Sequence, residues 1–286
     1  MRHRTLTASG FGWELEGCGL AISRAELIDA FHESGGLLLI RDQAHVSPET
    51  LAEFAASFGE LEKNEKYDPE FLLPGHPEIL RIGNLQRDGR YQALFTRADP
   101  PPLLWHCDDS FRIPQPLGSC ISCVTTPPEG GETGFAGMIA AYEALPEETK
   151  QRVDGVMTTH SYHHLNEYLR ARNPHRLPLS DTLRDLHPPV VRPLVAEHPE
   201  TGNRSLYIPK CHIESVHGLS REDGVELLDE LLAHATGPDF AFMHRWAPGD
   251  VVVWDNRCTL HAPSPFDDEA YPRLLYRLTM RGRQIV

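Results

Sequence analysis

The chain has 286 residues and a formal net charge of −14, because 41 aspartates and glutamates outnumber 27 lysines and arginines. An acidic surface of this kind repels phosphate backbones, which argues against nucleic acid as a partner. Apolar residues make up 40% of the chain, and no apolar run approaches the roughly 20 residues that span a bilayer. We therefore expect a soluble globular protein without a membrane segment, and the lack of an apolar signal-peptide stretch predicts a cytoplasmic one.

The N-terminal region predicts a helix, a strand and a second helix. After a short β-like opening, apolar residues spaced on one helix face predict a helix that ends at Gly35-Gly36. The apolar run Leu37–Ile40 is typical of a buried strand. Residues 47–58 predict an amphipathic helix, with Ser47 as its N-cap and Pro48 in the first turn.

Two polar stretches, residues 62–104 and 163–188, are rich in turn-forming and charged residues. We interpret both as long loops, apart from one strand at Ile79–Ile82. Long loops in compact domains are usually functional, so these stretches are candidates for ligand contacts.

The rest of the chain predicts mostly strands. The predicted strands are residues 117–126, 190–195, 205–208, 240–246, 251–254 and 274–280. The predicted helices are residues 139–154, with Leu145-Pro146 inside it or ending its first part, and residues 220–236, capped by Ser220. Many short strands with few helices are typical of an antiparallel β-sandwich with helical decoration. No linker divides the chain, so we expect a single domain over residues 1–286.

Six cysteines are spread along the chain. Without a secretion signal, an even cysteine count is weak evidence for disulfides. A zinc or redox role for the pair Cys120 and Cys123 requires a second pair or a thioredoxin-like context, and the sequence has neither. We expect reduced cysteines packed on a strand.

Residue types that bind metal ions stand close together at His106 and Asp108. On a strand, side chains two residues apart point to the same face, so these two would form adjacent corners of a metal site. His261, which follows the predicted strand at 251–254, is the best candidate for a third ligand. Two histidines and one carboxylate on one face of an octahedral ion leave three positions open, as in non-haem Fe(II) oxygenases. The HxD pair alone is weak evidence, since the chain has 16 histidines.

Four segments around these residues resemble the taurine/2,4-dichlorophenoxyacetate dioxygenase (TauD/TfdA) family. The segments are LLWHCDDSF (103–111), PPEGGETGFAGMIAAYEALP (127–146), HPETGNRSLYI (198–208) and residues 249–282. Together with the N-terminal region through FGELE (58–62), the resemblance covers nearly the whole chain. It implies a mainly β fold with helical decoration, the double-stranded β-helix or jelly-roll. It also implies that His106, Asp108 and His261 bind Fe(II).

The resemblance implies 2-oxoglutarate as co-substrate. Arg273, twelve residues after His261, matches the family's arginine for the distal carboxylate, and a planar guanidinium suits such a clamp. Thr133, in the GGET turn, matches a threonine that hydrogen-bonds the co-substrate. Arg277 lies four residues past Arg273 on the same strand face, so it would reach the co-substrate or an anionic substrate group.

The implied reaction consumes O₂ and 2-oxoglutarate and oxidises a C–H bond of a small substrate, chiefly by hydroxylation, with release of succinate and CO₂. The substrates that this resemblance implies include small organic anions. Asp108 argues against chlorination, because related halogenases have a small residue in its place. Desaturation or carbon–heteroatom cleavage in a natural-product pathway stays open as an alternative. Family members are often dimers or tetramers, which predicts a homo-oligomer.

Substrate contacts are expected from loop residues, for which the sequence signal is less specific than for the metal ligands. The candidates are Asn64, Tyr67, His160, Tyr162, Lys210 and His212. Asn64 stands where the taurine type has a histidine, which disfavours a taurine-like sulfonate. The segments 103–111 and 127–146 are closer to the aryloxyalkanoate members of the family.

Two other functions are compatible with the same ligands. A zinc hydrolase would need a poised general base near the metal, yet Asp109 is expected to face away from Asp108, and Arg273 would have no role. A jelly-roll binding protein without catalysis would be expected to lack a ligand or Arg273, and neither is missing.

Overall fold

The computed structural model describes residues 1–64, 67–85, 91–94, 103–173 and 176–282, and strands predominate in it. The strands are β1 (His3–Thr5), β2 (Trp13–Leu15), β3 (Leu37–Ile40), β4 (Leu72–Leu73), β5 (His76–Leu85), β6 (Tyr91–Leu94), β7 (Gly118–Thr125), β8 (Thr133–Gly137), β9 (Met157–His160), β10 (Val190–Pro193), β11 (Val195–Glu197), β12 (Arg204–Leu206), β13 (Ile213–Val216), β14 (Ala241–His244), β15 (Val251–Asp255), β16 (Thr259–Pro263) and β17 (Leu274–Met280). The α-helices are α1 (Arg24–Glu33), α2 (Pro48–Ala56), α3 (Met138–Glu143), α4 (Glu147–Val153), α5 (Tyr162–Arg170), α6 (Asp181–Leu186) and α7 (Arg221–Ala235). The prediction of a mainly β protein with helical decoration is confirmed.

Two sheets form the centre of the structure. The larger has the strand order β1-β2-β3-β15-β7-β17-β5-β4, with β6 paired to β5, and the smaller has the order β14-β8-β16. They pack face to face through an apolar cluster that contains Phe135 of β8 and Trp254 of β15, whose ring centroids are 5.5 Å apart. Shorter sheets, β10-β9-β13 and β11-β12, lie beside them.

The apolar runs of β3 and β15 reflect burial on both faces of the larger sheet. Leu37 and Leu39 join the cluster between the sheets, whereas Leu38 and Ile40 join a second cluster with α1 and α2. Side chains alternate along a strand, so a strand covered on both faces is apolar throughout. Helix α2 begins as predicted, since Ser47 caps it by accepting a hydrogen bond from the backbone N–H of Thr50 at 3.2 Å.

One helix prediction is refined and one loop prediction is wrong. The segment 139–154 is two helices, α3 and α4, and Pro146 stands between them as the N-cap of α4, which agrees with the alternative that Leu145-Pro146 ends the first part. The predicted loop at 163–188 contains α5 and α6, which begin at the side-chain caps Ser161 and Ser180. Tyr162, Leu165 and Leu169 do have helical spacing in α5, but the polar residues between them led to the loop prediction.

The placement of the predicted ligands also differs from the expectation. His106 forms an isolated bridge with His261 rather than part of a strand, and the turn that follows contains Asp109 at φ 47°. His261 lies on β16, and Thr133 begins β8 instead of standing in a turn.

A buried ionic network anchors the segment between β15 and β16. The Asp255 carboxylate accepts hydrogen bonds from Arg257 Nε at 2.8 Å and Nη2 at 2.6 Å, and its Oδ2 lies 3.1 Å from His198 Nε2. Burial raises the pKa of a carboxyl group, but the Arg257 guanidinium and these hydrogen bonds hold the pKa of Asp255 well below its usual range. The network therefore fixes the turn that leads to His261.

Replacement of Arg257 by alanine is expected to lower the free energy of unfolding by about 3–5 kcal/mol, because the Asp255 carboxylate would stay buried without its counter-charge. Urea unfolding of both proteins measures this difference. Arg204→Ala is the matched control, since Arg204 pairs with Asp154 at the surface and exposed pairs contribute little. A loss no larger than that of the control would contradict an anchoring role.

Within the described ranges, no helix is long and apolar enough to cross a membrane. All six cysteines are free, as predicted, and all but Cys18 are buried.

Candidate active site

The bridge between His106 and His261 brings two imidazoles together. The backbone N–H of each residue donates to the carbonyl of the other, at 2.9 and 2.7 Å, and the ring centroids are 4.3 Å apart. His106 Nδ1 lies 2.8 Å from the Leu104 carbonyl oxygen. A carbonyl only accepts, so Nδ1 carries the proton and Nε2 keeps its lone pair.

Asp108 is held so that one carboxylate oxygen is left for a ligand. Its Oδ2 accepts from Arg277 Nη2 at 2.7 Å, from Ser119 Oγ at 3.1 Å and from Asn256 Nδ2 at 3.3 Å. Its Oδ1 lies 3.8 Å from His261 Nε2. Burial opposes ionisation, but the Arg277 guanidinium and the hydrogen bond from Asn256 keep the pKa of Asp108 well below its usual range.

The three side chains converge as electron-pair donors. One ligand atom from each of His106, Asp108 and His261 lies within 4.8 Å of the others. Burial lowers the pKa of His261 well below its usual value, so this ring is neutral beside an ionised carboxylate. Lone pairs that face one another in a buried site repel unless a cation lies between them, and two imidazoles with one carboxylate suit a divalent transition metal. The residues fit an Fe(II) ion.

A second cluster of ligand-type residues, His198, Asp255 and Cys258, is equally compact. Its carboxylate is already neutralised by the Arg257 guanidinium at 2.6 Å, and its histidine hydrogen-bonds on both ring nitrogens. Hydrogen bonding and charge are thus satisfied without a metal, which marks this cluster as the anchor of the turn.

Arg273 is a buried cation without an acidic partner. It is 4% exposed, and no carboxylate lies within ion-pair distance of it in the described part of the chain. Its Nη2 donates to the Gly131 carbonyl oxygen at 3.2 Å, whereas its Nε is buried without a hydrogen-bond partner. Burial lowers the pKa of Arg273 to about 10. Since a buried charge is stable only when paired, this guanidinium fits an anionic ligand group.

Thr133 is also buried, at the start of β8. Its Oγ1 accepts a hydrogen bond from Trp246 Nε1 at 3.0 Å. An indole only donates, so the hydroxyl proton of Thr133 stays free to donate to a ligand oxygen. This polarity suits a carboxylate ligand.

The Arg277 guanidinium contacts the metal-ligand cluster through Asp108. In addition to its ion pair with Asp108, its Nε donates to Ser119 Oγ at 3.2 Å. Ser119 in turn donates to Asp108. In this arrangement Arg277 orients the carboxylate, and its charge is already shared with Asp108.

Four of the predicted substrate residues lie around the metal-ligand cluster. Tyr162 stacks on Phe111, with ring centroids 4.9 Å apart, and His212 packs edge-on against Phe111 at 5.3 Å. His160 joins His212 through a shared hydrogen-bond partner, Ser110. Burial raises the pKa of Tyr67, and the charges of Arg277 and Asp108 act on its phenol, so Tyr67 is near the same site.

Asn64 and Lys210 make other contacts. The Asn64 amide donates to the Glu78 carbonyl oxygen at 3.0 Å and so supports β5. The Lys210 ammonium is paired with Asp229 on α7. Neither side chain is brought to the metal-ligand cluster by the contacts that it makes.

Several site residues were not predicted from the sequence. Ser110, Ser119 and Trp246 hydrogen-bond the residues described above, although serines and tryptophans on strands and turns carry no motif of their own. Asn256 directly follows β15, in the turn that presents His261, and it contacts the Asp108 carboxylate. It accepts from the Asp108 N–H and from Trp254 Nε1, which aims its amide nitrogen at the carboxylate.

Comparisons with known proteins agree with this geometry. The family model described as "Taurine catabolism dioxygenase TauD, TfdA family" matches residues 5–279. An alpha-ketoglutarate-dependent 2,4-dichlorophenoxyacetate dioxygenase from Burkholderia sp. (strain RASC) is 35% identical over 273 residues, 92% of this chain and 88% of that protein. A (S)-phenoxypropionate/alpha-ketoglutarate-dioxygenase from Sphingobium herbicidovorans is 36% identical over 241 residues, 81% of this chain and 77% of that protein. The solved structure of AAD-2 in complex with Mn(II) and N-oxalylglycine has a TM-score of 0.79 at 29% identity and covers 99% of this chain and 98% of that one. With a family match across the chain and relatives above 30% identity, the chain belongs to the TauD, TfdA family of dioxygenases.

Proposed function

We propose that this protein is an Fe(II)- and 2-oxoglutarate-dependent dioxygenase that oxidises a C–H bond of a small organic substrate, by hydroxylation in the simplest case. The observation that carries the proposal is the convergence of His106, Asp108 and His261 as three electron-pair donors, of which Asp108 and His261 are buried. The relatives named for alpha-ketoglutarate-dependent reactions support it, as does the solved structure with Mn(II). The two packed sheets support a jelly-roll as the fold.

In this proposal His106 Nε2, Asp108 Oδ1 and the His261 imidazole hold Fe(II). Bound there together with 2-oxoglutarate and O₂, the metal would supply the oxidising power for the reaction. Arg273 and the Thr133 hydroxyl bind the distal carboxylate of 2-oxoglutarate. Asn256, Ser119 and Arg277 hold Asp108 in one orientation, which keeps Oδ1 directed at the metal.

The remaining residues bind and shield the substrate. Phe111 and Tyr162 form an aromatic wall near the metal ligands, which suits a substrate with an apolar or aromatic part. The aryloxyalkanoate names of two relatives support that class. Desaturation and carbon–heteroatom cleavage are the alternative outcomes of the same cofactor chemistry.

The zinc hydrolase alternative lacks its general base among the residues next to the ligands. The Asp109 carboxylate lies 2.8 Å from Arg112 Nη1, so its charge is engaged in an ion pair. A binding protein without catalysis is the second alternative, and it predicts that the metal and 2-oxoglutarate bind without turnover.

The visible spectrum of the protein tests the proposal directly. Fe(II) and 2-oxoglutarate are added to the metal-free protein in the absence of oxygen. A weak metal-to-ligand charge-transfer band is expected, because 2-oxoglutarate chelates the metal through its keto and carboxylate oxygens. A folded, iron-loaded protein without the band would contradict the proposal. Succinate formation after admission of oxygen then separates the enzyme from a binding protein.

A further inference from the structure

His212 carries a ring nitrogen without a partner beside the proposed metal site. The residue is 2% exposed, and its ring lies 6.4 Å from that of His106 and 5.3 Å from that of Phe111, centroid to centroid. Its Nδ1 is 2.8 Å from Ser110 Oγ. Its Nε2 has no hydrogen bond within the described ranges. Whether Nε2 donates or accepts depends on where the ring proton resides.

The proton positions can be assigned from a chain of four hydrogen bonds that begins at β10. Thr158 Oγ1 lies 3.2 Å from the Arg192 carbonyl oxygen and 2.9 Å from His160 Nε2. A carbonyl cannot donate, so the single hydroxyl proton of Thr158 points to Arg192. His160 Nε2 must then be the donor to Thr158 Oγ1.

The assignment continues through Ser110. With its proton on Nε2, a neutral His160 presents a bare Nδ1, and this atom is 2.8 Å from Ser110 Oγ. Ser110 therefore donates its one proton to His160. Its oxygen can only accept from His212 Nδ1, so Nδ1 of His212 carries the ring proton and Nε2 is a bare acceptor.

Both rings are neutral, as the assignment requires. His212 is 2% exposed and packs against the His106 ring, so a charged imidazolium there would lack solvation. Burial also lowers the pKa of His160 well below its usual value. The guanidinium of Arg192, which donates to the Ser110 carbonyl oxygen at 2.6 Å, keeps positive charge close to the chain of hydrogen bonds and further disfavours a proton there.

We propose that His212 is a specificity-determining residue whose Nε2 accepts a hydrogen bond from an O–H or N–H group of the substrate. Thr158, His160 and Ser110 are positioning residues that fix this tautomer. The proposal rests on the proposed function, because it takes the space next to the metal ligands as the substrate site. It names a substrate class, compounds with a neutral hydrogen-bond donor at this point, and it disfavours a carboxylate there, since two acceptors repel.

The tautomers can be observed by NMR without turnover. Long-range ¹H–¹⁵N spectra of the Zn(II)-loaded protein, labelled with ¹⁵N-histidine, distinguish a protonated from a bare ring nitrogen. We expect a bare Nε2 in His212 and a protonated Nε2 in His160. The signals are assigned with two variants: the His212 signals are absent from His212→Gln, and the His160 signals are absent from His160→Gln. A protonated Nε2 in wild-type His212 would overturn the proposal.

A matched pair of valine variants tests the origin of the tautomer. Thr158→Val removes the acceptor for His160 Nε2, so a proton is expected to appear on His212 Nε2 in part of the molecules. Thr159→Val is the control, because the Thr159 hydroxyl pairs with His217 Nε2 on the outer side of the same strand. An unchanged His212 in Thr158→Val would contradict the positioning role.

Three probe molecules of similar size test the substrate class. Phenol, anisole and benzoate are titrated into the protein loaded with Zn(II) and 2-oxoglutarate, and the His212 signals are followed. Phenol is expected to bind about tenfold more tightly than anisole, which cannot donate, and than benzoate. Phenol binding no tighter than either would overturn the acceptor role. Failure of the proposed function differs from this outcome, since it removes the charge-transfer band and leaves the tautomers unchanged.

Discussion

The His261→Ala variant is expected to bind Fe(II) more than about a hundredfold more weakly than the wild-type protein. Loss of a group that merely orients a metal ligand costs about 10- to 100-fold in affinity, and this substitution removes a ligand itself. The charge-transfer band with 2-oxoglutarate is expected to disappear at metal concentrations that saturate the wild type. Metal affinity is measured anaerobically by competition with a chelator.

His217→Ala is the matched control for His261→Ala, because His217 is an exposed histidine whose Nε2 bonds to the Thr159 hydroxyl. Its metal affinity is expected to equal that of the wild type. Thermal unfolding adds a second readout, since a ligand that binds the native state raises the unfolding temperature by mass action. If Fe(II) still raised the unfolding temperature of His261→Ala, the ion would bind elsewhere.

Elements of this fold could be predicted where burial requires a regular spacing of apolar residues in the sequence. The run Leu37–Ile40 is apolar at every position because both faces of its strand are covered, and it was identified correctly. The caps Ser47 and Ser220 also identified their helices, since a hydroxyl that accepts from a backbone N–H three residues on has a fixed sequence position. The helix α5 was missed although Ser161 caps it and Tyr162, Leu165 and Leu169 have helical spacing, because polar residues make up most of its sequence.

In the candidate site, too, some residues could be predicted from the sequence and others could not. His106, Asp108 and His261 carry a recognisable combination of residue types, and the structure brings them together. The reason given for the spacing was wrong, because His106 lies in an isolated bridge and Asp108 in the turn that follows it, not on one strand face. For Asn64 and Lys210, a role assigned from the matching position in the family was not a reliable guide to the contacts of the side chain. A loop residue can satisfy a nearby carbonyl or carboxylate instead of a ligand, and no pattern in the sequence distinguishes these cases.

Arg273 illustrates a conflict between stability and function that leads to the second large effect. A buried guanidinium with an unpaired Nε is destabilising in the absence of an anion. The Arg273→Met variant, which keeps an unbranched apolar side chain, is therefore expected to raise the free energy of unfolding of the metal-free protein by about 1 kcal/mol or more. The same change is expected to weaken 2-oxoglutarate binding at least about thirtyfold, since truncation of a buried charge pair costs about 2 kcal/mol or more.

The opposite signs of these two effects make the prediction specific. Urea unfolding measures the gain in stability, and titration of the charge-transfer band with 2-oxoglutarate measures the loss of affinity. Arg245→Met is the control, because Arg245 is exposed and, among the residues that the structure describes, donates only to the Pro128 carbonyl oxygen, so neither quantity should change. If Arg273→Met lost stability in the metal-free protein, the guanidinium would be a structural residue. A gain in stability together with a loss of affinity is the behaviour of a charge that is kept unpaired for its ligand.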